Sequence, residues 1–140
     1  MVGIIVSTHG SLSHELVKSA EMIFGPQENM GCVSFKPGEA AEVLISQYEE
    51  LAKSLDCADG ILLLVDIYGG SPFNAASLFA LKSKNIEVIA GVNLPMLLEV
   101  FANKEGAAVS SLANLAKGAG KEGIKEFLRC TVPNVKEDEL

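Results

Sequence analysis

The sequence predicts an α/β fold on a parallel sheet, and three observations carry that expectation. Short apolar runs alternate with segments of helical periodicity along the 140 residues. Runs such as Ile61-Leu62-Leu63-Leu64-Val65 are apolar throughout, as in strands covered on both faces. Glycine and proline fall between the runs and the periodic segments, where turns are required.

Gly3–Ser7 reads as the first strand. A helix follows from Ser11 to Phe24, with Leu12, Leu16, Ala20, Ile23 and Phe24 assigned to its buried face. Ser11 or Ser13 is its candidate cap, and Gly25-Pro26 ends it. Gly31–Phe35 is the second strand, closed by Lys36-Pro37-Gly38. Glu39 to Leu55 is amphipathic, with Leu44, Tyr48, Leu51 and Leu55 on one face. Ile61–Val65 is the third strand. Ser71 then resembles an N-cap, with Pro72 opening a helix to about residue 81. Ile86–Val92 is the fourth strand. Asn93 is read as the cap of a helix that Pro95 begins and that carries Met96, Leu97, Val100 and Phe101. A weaker helix spans Ser110 to Gly118, and Gly120 and Gly123 lower the helical expectation beyond it. Phe127–Val132 is a candidate antiparallel edge strand. One domain over residues 1–132 and an acidic, disordered tail over 133–140 complete the expected organisation.

Helical crossovers between parallel strands are right-handed, which leaves few topologies. The expected one is the flavodoxin-like doubly wound sheet, in which the first and third strands are neighbours at the switch point. Ligands of such sheets bind beyond the carboxyl ends of the strands at that point.

Composition bounds the function. The formal charge of −7 argues against nucleic-acid binding, which needs a basic face, and against anionic lipid surfaces. Cys32, Cys57 and Cys130 are odd in number and match no zinc or redox spacing, so they are expected as thiols in a reducing compartment. There is no basic leader, and no window approaches the roughly 20 apolar residues of a membrane span. A soluble, cytoplasmic protein is expected.

The chemistry concentrates at two strand ends. The first apolar run delivers Thr8-His9-Gly10, and the third delivers Asp66 ahead of Gly69-Gly70-Ser71-Pro72-Phe73-Asn74. In the expected topology His9 and Asp66 meet across more than fifty residues of sequence. A lone histidine at a strand end is most often a structural one bonded to backbone. Beside a carboxylate that accepts from one ring N–H, its other nitrogen becomes a nucleophile. The two glycines allow close approach of backbone, and the first amides of the following helix form an anion site. Gly70 and the Ser71 hydroxyl are candidate phosphoryl ligands, and Thr8 is a candidate for orienting the site through its hydroxyl. A Gly-Gly-Ser sequence alone is a common loop and cap, and it lacks the lysine of a Walker loop. Asp66 as a receiver-type phosphoacceptor would need acidic metal ligands at the end of the first strand, where Ser7-Thr8-His9 stands instead. The nucleophile-elbow pattern is absent. His14 is expected to be solvated.

These residues carry a resemblance. Ile4-Ile5-Val6-Ser7-Thr8-His9-Gly10, Asp66 with Gly69-Gly70-Ser71-Pro72-Phe73-Asn74-Ala75-Ala76, and Val88-Ile89-Ala90-Gly91-Val92-Asn93-Leu94-Pro95-Met96-Leu97 are similar to the IIA component of the mannose-family (mannose-fructose-sorbose) sugar phosphotransferase system. The likeness covers about residues 2 to 128. It implies a phosphotransferase that accepts a phosphoryl group from the phosphocarrier protein HPr on His9 and passes it to a IIB component. The IIC/IID membrane permease is then served indirectly, and no metal or cofactor is needed. It also implies Asp66 as the orienting carboxylate, Ser71 and its helix start as hydrogen-bond donors to the phosphoryl group, and a homodimer, with a C-terminal strand exchanged between subunits in some members. Some members carry threonine and tryptophan where this chain has Ile67 and Tyr68, so a hydroxyl at position 67 is lost. The chain is expected to be a free-standing IIA. The phosphocarrier subunit of a dihydroxyacetone kinase is the alternative, since it resembles the same fold.

Overall fold

A computed structural model describes residues 1–129. It places five helices and four strands in the order β1 (Gly3–His9), α1 (Leu12–Phe24), β2 (Met30–Phe35), α2 (Ala41–Ser54), β3 (Ile61–Val65), α3 (Ser71–Ala80), β4 (Ile86–Ala90), α4 (Leu94–Asn103) and α5 (Val109–Glu122). The four strands form one parallel sheet in the order β2-β1-β3-β4, the flavodoxin-like arrangement. Ser7 is level with Val65 in the β1–β3 register, so His9 and Asp66 emerge at the same edge.

Alternation along the central strands divides the core into two layers. Ile4, Val6, Leu62 and Leu64 face α1, α4 and α5, packing with Val17, Leu97, Val100 and Leu112. Ile5, Leu63 and Val65 face α2 and α3, packing with Leu44, Tyr48, Ala76 and Phe79. Each central strand therefore buries both faces, which is why these runs carry so few polar residues. Every residue of edge strand β4 is half-buried.

Several expectations about α1 are corrected. Its buried residues are Ser13, Val17 and Ala20, whereas Leu12, Ile23 and Phe24 are exposed. The helix has apolar residues on two adjoining faces, and the small one seats it close to β2, with the Ser13 hydroxyl donating to the Val33 carbonyl at 3.0 Å. Ser11 occupies the cap position without a side-chain bond. Thr8 Oγ1 accepts from Ser13 N at 2.7 Å instead.

The last helix runs to Glu122, beyond the expected Gly118. Gly120 lies buried inside it, where a Cβ would come within 2.9 Å of Met96 Cε. The glycine thus marks close approach of α4 and α5, not a helix end. Of the expected edge strand Phe127–Val132, residues 127–129 are not in a strand, and 130–132 lie outside the described residues together with the tail. Among the described residues no helix is long and apolar enough to cross a membrane.

Candidate functional site

The carboxyl ends of β1 and β3 bring His9 and Asp66 together. Asp66 Oδ2 lies 2.9 Å from His9 Nδ1 and also accepts the His9 backbone N–H at 3.0 Å. Its other oxygen accepts from Ile67 N at 3.0 Å. An ionised carboxylate only accepts, so Nδ1 carries the proton and Nε2 is left with its lone pair. Three donors on one carboxylate fix its orientation, and through it the ring. The side chains are 49% exposed for His9 and 15% for Asp66, so the carboxylate is sheltered while the ring reaches outward.

Two further contacts frame the ring. Phe35, at the end of β2, meets it edge-on with centroids 5.7 Å apart. Gly70 approaches it so closely that a Cβ there would lie 2.9 Å from His9 Cε1. The preceding Gly69 has φ +83°, a conformation that disfavours any residue with a side chain. Asn74 Nδ2 donates to the Gly69 carbonyl at 3.2 Å and braces the turn.

The start of α3 corrects the expected cap. Gly70 is the N-cap, and Ser71 is the first helical residue. Ser71 makes no capping bond, so its hydroxyl remains able to donate to a ligand. The first helical hydrogen bond is Asn74 N to the Gly70 carbonyl at 2.9 Å. Ahead of it Pro72 has no N–H, which leaves the amides of Ser71 and Phe73 outside the ladder. Two amides, one hydroxyl and the positive end of the helix dipole thus follow directly on Gly70, the residue that approaches the ring, a constellation suited to phosphoryl oxygens.

Thr8 is placed differently from the expectation. It is fully buried, and its hydroxyl oxygen is held by the start of α1, away from the exposed ring. Asn93 caps α4 by accepting from Met96 N at 3.0 Å, as expected. His14 is exposed, with Nδ1 3.2 Å from Ser34 Oγ and no carboxylate partner among the described residues. Cys32 is half-buried, and burial pushes its thiol up to about 11, an inert environment. No group of three or more His, Cys, Asp or Glu among the described residues is placed to hold a metal ion.

Sequence reasoning missed Phe35 and Tyr48 as neighbours of the site. The Phe35 contact was recoverable from parallel register, since His9 pairs with Phe35 once β1 and β2 align. A cleft of about 530 Å³ lies beside the site, lined by Tyr68, Phe73, Val88, Met96, Lys121 and Ile124 among others, and His9 is not in its wall.

Comparison with known proteins agrees with this geometry. A family model described as "PTS system fructose IIA component" matches residues 3–117. The mannose-specific EIIAB component of Escherichia coli is 46% identical over 125 residues, which are 89% of this chain and 39% of that protein. The chain thus spans well under half the length of that relative. The fructose-specific EIIA component of Bacillus subtilis is 35% identical over 146 residues, covering 100% of both. Among solved structures, EIIA from Streptococcus agalactiae superposes with a TM-score of 0.83 at 28% identity, covering 91% of this chain and 98% of that one. The chain belongs to the mannose-family IIA components of the sugar phosphotransferase system.

Proposed function

We propose that the chain is a phosphocarrier that holds a phosphoryl group on His9 Nε2, between HPr as donor and a IIB component as acceptor, in coupled sugar uptake. The observation that carries the reading is the His9–Asp66 pair at 2.9 Å on an exposed ring against the start of α3. The Nε2 lone pair attacks phosphorus, a P–N bond forms, and the bond to the donor atom breaks with its electron pair. Nδ1 keeps its proton throughout, and Asp66 stabilises the cationic ring that results. The Ser71 hydroxyl and the amides of Ser71 and Phe73 bind the phosphoryl oxygens. Transfer onward reverses these steps, so one site serves both directions.

An exposed nucleophile beside, rather than inside, a cleft suits a reaction partner that is itself a protein. Exposed Ile67 and Tyr68, which follow Asp66 in the loop to α3, provide apolar contact for such a partner. The same reading places the chain in the cytoplasm as a homodimer, with the permease served through IIB. The dimer is supported by the apolar cleft along β4, which exposed Ile124 lines. Incubation with phosphoenolpyruvate, the general phosphotransferase enzyme and HPr should label the protein with an acid-labile, base-stable phosphate. His9→Ala should abolish the label, and full labelling of that variant overturns the reading.

A further inference from the structure

A hydrogen-bonded chain beneath the histidine links three elements, and the transfer chemistry leaves it without a role. Ser7 and His9 are two apart on β1 and so share the face covered by α2 and α3. Tyr48 of α2 comes within 2.7 Å of Ser7 Oγ and donates to the Pro72 carbonyl at 3.2 Å. Its single proton goes to Pro72, so Ser7 is the donor in the first contact. Ser7, Tyr48 and Pro72 are all buried. Burial also pushes the phenol up to about 12, so it stays a neutral donor at any physiological pH.

A phenylalanine would fill the same space among Leu44, Phe79 and Ala76. The hydroxyl is therefore unnecessary for packing, and its two partners are informative. One lies two residues before the nucleophile. The other is the Pro72 carbonyl, between Ser71 and Phe73, whose amides the proposed function assigns to the phosphoryl oxygens. A satisfied polar chain in a low-dielectric interior is stiff and directional, where apolar contact alone permits sliding.

We infer that Tyr48 is a positioning residue for phosphoryl transfer, its hydroxyl holding the β1 end that carries His9 and the first turn of α3 in one fixed relation. This rests on the phosphohistidine reading above. The tolerance is narrow, because even a Cβ at Gly70 would lie 2.9 Å from His9 Cε1. Displacement of reacting groups by about 1 Å can slow a reaction on the order of a hundredfold, and a lost hydrogen bond moves them less, so about a tenfold effect is expected.

The test measures steady-state transfer from phosphorylated HPr for wild type, Tyr48→Phe, Ser7→Ala and the double variant, each below its melting temperature. Tyr48→Phe should lower kcat about tenfold with KM for HPr unchanged, because only the transition-state geometry is affected. Ser7→Ala keeps the Pro72 bond and should lower kcat by about two- to threefold, and the double variant should fall no further than Tyr48→Phe alone. In parallel, phosphorylation should shift the Ser71 and Phe73 amide resonances less in Tyr48→Phe than in wild type. A merely structural hydroxyl would lower the melting temperature and leave kcat and these shifts at wild-type values, which overturns the inference. If Tyr48→Phe does not fold, Ser7→Ala with wild-type kcat does so. Wild-type protein that takes no label on His9 overturns the phosphocarrier reading itself, a separate outcome.

Discussion

The end of β1 and the first turn of α1 each carry one exposed histidine, five residues apart, and only one has the surroundings of a nucleophile. His9 has a carboxylate at 2.9 Å on Nδ1, a phenylalanine edge against its ring and a helix start beside it. His14 has hydroxyls, Ser34 Oγ at 3.2 Å and Ser13 Oγ at 3.4 Å. Neither hydroxyl carries a charge, so neither stabilises a cationic ring as a carboxylate does. The contrast locates the chemistry in what surrounds an imidazole rather than in the imidazole. That surrounding is available at a strand end in mid-sheet, where β3 supplies Asp66 on one side and β2 supplies Phe35 on the other.

Four substitutions test the contrast. Asp66→Asn should have the largest effect, turning His9 into a ring held by uncharged groups, as His14 is. The amide favours the wrong tautomer and carries no charge, so transfer from HPr should slow on the order of a hundredfold or more, with the fold retained by circular dichroism. Transfer at the wild-type rate would remove Asp66 from the mechanism. Gly70→Ala should follow, at about a tenfold loss, because the added methyl displaces the ring or the α3 start. Its backbone has φ −75°, which alanine adopts readily, so an unchanged melting temperature with slowed transfer separates contact with His9 from backbone strain. Ser71→Ala should cost about three- to tenfold in rate, since the two amides proposed to hold the phosphoryl group remain. A comparable rise in the hydrolysis rate of the phosphorylated protein would confirm that the hydroxyl binds the phosphoryl group. His14→Gln should leave transfer within about twofold, because an exposed side chain held only by hydroxyls contributes little. A larger loss in the same transfer assay would show that the two histidines are not as different as their surroundings indicate.

Much of this was legible in the chain. A strand buried on both faces needs a continuous apolar run, and β3 coincides with Ile61–Val65 as read. Proline at the second position of α3 and α4 marked both helix starts within a residue. The misreadings share one cause. The α1 face depended on which of two apolar stripes the sheet would take, and the small one won because Ser13, Val17 and Ala20 let the helix come close. Gly120 looked like a helix breaker until the fold buried it against Met96, where a Cβ would come within 2.9 Å of Met96 Cε. Thr8 looked like a ligand until the strand's alternation turned it away from His9 and into α1.

Local pattern by itself determined which segments are strands and helices, and which strand ends carry His9, Asp66 and the Gly69–Ser71 turn. It could do so because burial on one or two faces and the backbone limits of glycine and proline act within a few residues. Tertiary structure alone decided that Nδ1 and not Nε2 meets the carboxylate, that the Ser71 hydroxyl is left free of capping, and that Tyr48 bridges Ser7 to Pro72 across 41 and 24 residues of sequence. Those outcomes depend on the relative depth and rotation of packed elements, set by side-chain volumes summed over the whole core, and no short window of sequence contains that sum.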